Sequence, residues 1–155
     1  MYIVLIVLLM AVLPIVSIAI DAMMSAGTFD LLTSATRWFV FWGAGVRLAL
    51  AGLRQIAQPA FTAETIFRIK DPEAHKIVQE LGFGNMALGV LGIVAGFVPD
   101  WVLPAAVASA IFYALAGIKH VLNAEWTRLE AVAMISDLGF AAILIVLVAG
   151  RLIGF

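Results

Sequence analysis

Residues 81–121 read LGFGNMALGVLGIVAGFVPDWVLPAAVASAIFYALAGIKHV. They contain two apolar stretches, residues 81–98 and 101–121, which are separated only by Pro99 and Asp100 of the turn sequence Val-Pro-Asp. Each stretch approaches the ~20 residues that an α-helix needs to cross ~30 Å of hydrocarbon. Because the turn is too short for any other connection, the pattern predicts an antiparallel pair of transmembrane helices.

Three further apolar stretches lie on either side of this pair, at residues 2–20, 38–57 and 129–150. All are continuous rather than alternating, which excludes a transmembrane barrel. The sequence therefore predicts an all-α integral membrane protein with five transmembrane helices. Asp71 as N-cap and Pro72 as the first helical residue predict that the third helix begins near residue 72, ahead of its membrane part.

The composition agrees with a membrane location. Of 155 residues, 65% are hydrophobic and 12% are charged, against about 25% charged in an average soluble domain. So little polar surface excludes an ordinary soluble enzyme and a disordered chain, and a net charge of −1 without a basic cluster argues against nucleic-acid binding. Five spans use most of the chain, so we expect one polytopic domain, residues 1–155.

Lysine and arginine near the span ends predict the orientation. With five spans, six of these residues fall on the side of the amino terminus and two on the other, so we expect a cytoplasmic amino terminus and an outside carboxyl terminus of a cell-membrane protein. Trp38 and Trp101 then mark the outer boundary and Trp126 the inner one.

The first stretch, residues 2–20, could instead be a signal peptide. It lacks preceding basic residues and is longer than the apolar core of a usual signal peptide, which favours a retained helix.

Two charged residues lie where a lipid-facing helix should have none. Arg47 is near the middle of the second span and Asp137 is well inside the fifth, at similar depth. An ionised group at the bilayer centre costs ~2.5–3.5 kcal/mol and needs a partner or water. Arg54 and Glu130 lie seven residues away on the same two helical faces. We therefore predict the ion pairs Arg47–Asp137 and Arg54–Glu130, which either fix the helix register or form a functional site.

Other polar residues occur at the same level, near the predicted cytoplasmic side. They are Asn85, Glu80, Tyr113, His120 and Asn123. They predict either a water-accessible vestibule or a rim of the kind that polar residues form at a membrane interface. Small residues such as Gly45, Gly92 and Gly96 predict close helix packing, within the bundle or between copies.

Residues for common chemistries are missing from the sequence. Without cysteine there is no thiolate catalysis and no cysteine-based metal site, and the two histidines do not suit a haem. No motif indicates nucleotide binding or an activated nucleophile. We expect no metal and no cofactor, and nothing argues for an enzyme.

Several segments resemble a bacterial family of small multi-span membrane proteins of unknown function. They are RWFVFW (37–42), VRL (46–48), AGLRQ (51–55), QP (58–59), ELGFGN (80–85), AGIKHV (116–121) and MISDL (134–138). The resemblance covers nearly the whole chain and implies a bacterial inner-membrane protein. More distantly, the last four spans look like the four-helix bundle of DoxX-like proteins, some of which are linked with quinone-dependent redox systems or act as membrane accessory subunits.

The leading functional hypothesis is a non-catalytic accessory or binding protein. In it, an apolar ligand such as a lipid or quinone enters between the helices, and its polar head meets Arg47, Asp137, Asn85 and His120. The alternatives are a small transporter or proton pathway and a structural subunit of a larger complex. Expected partners are membrane lipids, further copies of the chain or a membrane complex, and no nucleic acid.

Overall fold

In the computed structural model, which describes residues 2–122 and 127–154, all regular structure is helical. Asn123 and Trp126, predicted above to lie at the inner boundary, fall outside these residues. Five long helices, α1 to α5, account for most of the described chain.

Two of the five helices contain π-helical turns. Helix α1 runs through Tyr2–Val7, a π-helical turn at Leu8–Val12, and Leu13–Met24. Helix α2 runs through Leu31–Trp38, a π-helical stretch at Phe39–Val46, and Arg47–Ala57. Each π-helical turn inserts a residue into the ladder and shifts the faces that follow it. A turn with positive φ at Ala26 and Gly27 joins the two helices.

The other three helices are regular. Helix α3 spans Glu73–Ala95, and the Asp71 carboxylate accepts the Glu73 N–H at 2.9 Å. The 3₁₀ turn Pro99–Trp101 leads directly into α4, Val102–Val121. Helix α5 spans Arg128–Ile153. A short π-helical segment, Phe61–Ile66, lies between α2 and α3.

Helices α2 and α3 pack backbone to backbone. A methyl group at Gly89 would lie 2.4 Å from the Ala49 amide nitrogen, and one at Gly92 would lie 2.7 Å from the Gly45 backbone. Such distances are possible only because the facing residues are small. The predicted small-residue stripe therefore serves packing inside the bundle.

The remaining core lies where α4 and α5 pack along each other and against the π-helical part of α2. Val40, Tyr113, Phe140 and Leu144 are almost completely buried there. The Phe140 ring fills the space over Gly43, where an added methyl group would lie 2.2 Å from it. Helix α1 packs mainly on α2 and exposes most of its apolar side chains.

Within the described residues, four helices are long and apolar enough to cross a bilayer. They are Ile3–Met24, Glu73–Ala95, Pro99–Val121 and Arg128–Ile153. The chain is thus an all-helical protein with the make-up of a multi-pass membrane protein. Helix α2 is not among the four, because Arg37, Arg47 and Arg54 lower its mean hydropathy. The prediction of a fifth span stays a prediction.

Candidate functional site

Arg47 and Asp137 meet in the interior of the bundle. Arg47 begins the α-helical second part of α2, and Asp137 lies in the middle of α5. An Arg47 Nη2 hydrogen donates to Asp137 Oδ1 at 2.9 Å, with 14% and 10% of the two side chains exposed. The same nitrogen lies 3.3 Å from the Ser136 hydroxyl oxygen. The pair therefore links two helices that are distant in sequence.

Tyr113 of α4 completes this ion-pair site, which we define as Arg47, Tyr113, Ser136 and Asp137. The Arg47 guanidinium carbon lies 5.0 Å from the centre of the Tyr113 ring, within cation–π distance. The Tyr113 hydroxyl donates to the Gly43 carbonyl at 2.7 Å. Three helices thus contribute to one buried polar cluster.

The π-helical stretch of α2 provides the acceptor for Tyr113. The Arg47 N–H donates to the carbonyls of Trp42 and Ala44, rather than to that of Gly43, the partner four residues back in an α-helix. The Gly43 carbonyl accepts the Tyr113 hydroxyl. Sequence reasoning missed this arrangement, since no local pattern in the sequence marks a π-helical turn.

The second predicted ion pair, Arg54 with Glu130, does not form. Arg54 is exposed, and its guanidinium lies 3.6 Å from the centre of the Phe61 ring. Glu130 forms a capping box at the start of α5: its carboxylate accepts the Thr127 N–H at 2.8 Å, and its own N–H donates to the Thr127 hydroxyl. The spacing Thr-x-x-Glu is a capping-box signature, so the sequence already carried the signal for this local role.

The remaining predicted residues do not form one vestibule. His120, half-buried, lies near Glu130, together with Arg68. Asn85 is buried between α2 and α3, where its amide donates to the Gln55 side chain at 2.7 Å. Glu80 is exposed and makes no ion pair with a described residue. The polar residues therefore divide among three separate places.

A polar cluster at the opposite end of the bundle was not predicted. The Asp21 carboxylate, near the end of α1, accepts the Ser34 hydroxyl at 2.7 Å and the Trp38 indole N–H at 2.6 Å. The Arg37 Nε–H donates to the Gly96 carbonyl at 2.7 Å. The available signal was the lone acidic residue directly after the first apolar stretch.

No member of the ion-pair site lines either of two cavities in the described part of the chain. One, of about 290 Å³, is an apolar groove between α4 and α5. The other, of about 220 Å³, lies at the Asp21 cluster. With 14% and 10% of the Arg47 and Asp137 side chains exposed, the ion-pair site is a closely packed contact. Within the described residues, no group of three or more acidic, histidine or cysteine side chains is arranged to hold a metal.

Comparison with known proteins identifies a family. The model of a family described as "Family of unknown function (DUF6790)" matches residues 1–152. No curated protein and no solved structure matches the chain significantly.

Proposed function

We propose that this chain, which belongs to the DUF6790 family of unknown function, is a non-catalytic structural or accessory component of a membrane. In this proposal the ion-pair site holds the helices in one arrangement. The observation that carries it is the direct Arg47–Asp137 contact, packed against the Tyr113 ring with only 14% and 10% of the two charged side chains exposed.

A packed ion pair favours a framework over a pathway. A proton or solute path needs water or a cavity beside its charged residues, and intramembrane charges that serve one face such a space. A ligand site for a lipid or quinone headgroup needs room beside the guanidinium. Neither described cavity offers that room to Arg47.

The proposal includes α2 as a fifth span. Leu31–Trp38, Phe39–Val46 and Arg47–Ala57 are continuous and together exceed the length of a bilayer crossing. The neutral pair with Asp137 lowers the cost of keeping Arg47 within the hydrocarbon layer. Of the three arginines that lower the hydropathy of α2, the one nearest its middle is thus the one whose charge is compensated. A DoxX-like arrangement of the last four spans stays a prediction.

Reconstitution into liposomes distinguishes a structural role from a transport function. Liposomes without protein should dissipate an imposed pH gradient as fast as liposomes that contain the purified protein. We expect Asp137→Asn to leave this rate unchanged. A flux in the wild type that Asp137→Asn abolishes would show a proton pathway instead. A quinone that co-purifies with the wild type and is lost in Arg47→Met would show a ligand site.

Isolation in a mild detergent tests the structural role directly. We expect the protein to co-purify in fixed stoichiometry with other membrane proteins or with further copies of itself. Recovery of that assembly should fall in Asp137→Leu, which leaves Arg47 buried without its counter-charge, and return in the double variant Arg47→Met/Asp137→Leu, which removes both charges. Recovery of a lone monomer under all conditions would contradict the proposal.

A further inference from the structure

The residues that line the cavity at the Asp21 cluster suit a ligand that carries one positive and one negative charge. The cavity measures about 220 Å³, and we name it the loop-end cavity because it lies where the turn between α1 and α2 meets the first turns of α2. Its polar lining includes Asp21, Ser25, Thr28, Asp30 and Arg37. No member of this lining belongs to the ion-pair site.

Asp21 and Arg37 both line this cavity without being paired to an opposite charge. Among the described residues, no basic side chain forms an ion pair with Asp21 and no carboxylate forms one with Arg37. The ring of Trp38 lies 4.7 Å from the Arg37 guanidinium, but it supplies no full negative charge. One negative and one positive group therefore share a cavity without neutralising each other.

Both groups are held in place by other bonds. Two donors, from Ser34 and Trp38, fix Oδ2 of Asp21, and within the described chain no donor engages Oδ1. The Arg37 Nε–H is fixed on the Gly96 carbonyl, and its Nη groups make no hydrogen bond to a described residue. Positioned groups with unused bonding capacity are what a preorganised binding site requires.

We propose that the loop-end cavity binds the headgroup of a phosphatidylethanolamine-type phospholipid, with the ammonium on Asp21 and the phosphate on Arg37. A zwitterion supplies one counter-charge to each group. A primary ammonium brings three N–H donors, which suit the Asp21 carboxylate and the Ser25 and Thr28 hydroxyls. Guanidinium is well matched to phosphate oxygens.

The position in the molecule suits a lipid rather than a soluble zwitterion. Asp21 lies in the last turn of α1, a helix apolar enough to span the bilayer, and so at headgroup level. Val16 and Ile20, which precede it on the bilayer side, are exposed and available to acyl chains. Asp30, the second carboxylate of the cavity, has Arg151 4.0 Å away, so the surroundings carry no large net charge that would favour an anionic or a cationic lipid.

Native mass spectrometry with an equimolar mixture of phosphatidylethanolamine, phosphatidylcholine and phosphatidylglycerol tests the proposal on the full chain. We expect the phosphatidylethanolamine adduct to dominate in the wild type. Loss of one charge-assisted hydrogen bond corresponds to about tenfold in affinity, so Asp21→Asn and Arg37→Gln should each reduce that adduct by about tenfold. Asp21→Asn retains an acceptor for Ser34 and Trp38, and an unchanged thermal unfolding midpoint would show that the fold is kept.

The control is Asp100→Asn, an exposed carboxylate in the turn between α3 and α4, at the same end of the bundle and outside the cavity. It should leave the lipid preference intact.

Equal adducts of the three lipids in the wild type would overturn the proposal without needing any variant. Dominance of phosphatidylglycerol, or of phosphatidylcholine, whose ammonium has no N–H, would also overturn it. Soluble phosphoethanolamine that displaced the lipid completely would overturn the assignment to a membrane lipid. None of these outcomes bears on the Arg47–Asp137 site.

Discussion

The opposite charges of Arg47 and Asp137 compensate each other in an apolar interior. Removing one partner of a buried pair leaves an uncompensated charge, whereas apolar side chains of similar volume can replace both with little cost. We therefore expect Arg47→Met or Asp137→Leu alone to lower the free energy of unfolding by about 3–5 kcal/mol. The double variant should recover most of that loss. Thermal unfolding in detergent measures all three, and additive losses in the double variant would contradict the coupling.

Tyr113 acts on the same cluster through two different groups. Tyr113→Phe keeps a ring under the Arg47 guanidinium but leaves the Gly43 carbonyl without the hydroxyl donor. We expect a loss of about 1–3 kcal/mol, the cost of a buried polar group that loses its hydrogen bond. Tyr113→Leu, which also removes the ring, should cost more. Equal unfolding midpoints for wild type and Tyr113→Phe would show that the hydroxyl contributes nothing.

Single residues also show how far the sequence could predict the site. The contact of Arg47 with Asp137 was predictable because an ionised group in hydrocarbon needs a counter-charge at its own depth. The pairing of Arg54 with Glu130 was wrong because both residues lie near helix ends, where nearby partners compete: the Phe61 ring for Arg54 and the Thr127 capping box for Glu130. Pairing opposite charges by their depth in the bilayer is therefore more reliable for residues deep within a span than for residues near helix ends.

At the scale of elements, the packing of α3 on α2 depends on glycine at defined positions. At Gly89 an added methyl group would meet the Ala49 backbone at 2.4 Å, whereas at Gly84, on the same helix, nothing lies within 4 Å. Gly89→Ala should destabilise by about 1–3 kcal/mol, because two backbones must separate. Gly84→Ala should be neutral or stabilise by up to about 1 kcal/mol through helix propensity. Equal unfolding midpoints for the two variants would contradict this packing.

The start of α2 depends on Asp30 as its N-cap. Its carboxylate accepts the N–H groups of Leu32 and Thr33, and Asp30→Ala should cost about 1 kcal/mol, whereas Asp30→Asn keeps the cap. Hydrogen bonds from the Thr33 hydroxyl and N–H hold the pKa of Asp30 below its ordinary 3.8.

Because the folded pKa of Asp30 is lowered, the ionised cap stabilises the fold above pH 3.8 and this contribution is lost as the pH falls through the lowered pKa. The difference in unfolding midpoint between wild type and Asp30→Asn should therefore be constant from about pH 5 to 7 and shrink below pH 3.8. A difference that grew on acidification would contradict the assigned role.

Element ends and element interiors differed in how well they could be predicted. Turn residues act locally, so Asp71 and Pro72 indicated the start of α3 one residue from where the structure begins it. The π-helical stretch Phe39–Val46 could not be predicted, because no local pattern marks it and it packs against all four other long helices. The Gly43–Tyr113 bond could not be predicted for the same reason.

At the scale of the whole molecule, the sequence predicts five spans, whereas four helices of the described chain are apolar enough to cross a bilayer and α2 is not among them. Arg37, Arg47 and Arg54 lower the hydropathy of this helix, and a sequence window cannot include the charge that Asp137 supplies from 90 residues away. Only the folded chain shows that the central arginine is neutralised. Whether α2 crosses the membrane therefore depends on a contact rather than on composition.

Cysteine labelling decides this point, because the chain contains no cysteine and each introduced thiol is unique. Thr28 and Gln58 are exposed residues that flank the two ends of α2. If α2 is a span, Thr28→Cys and Gln58→Cys lie on opposite sides of the membrane. With a cytoplasmic amino terminus, as the distribution of lysine and arginine predicts, an impermeant maleimide should label only Thr28→Cys in intact cells and both variants after permeabilisation. Labelling of Gln58→Cys alone would reverse the orientation but keep the span. Equal labelling of both variants in intact cells would place both ends of α2 on one side and remove the fifth span.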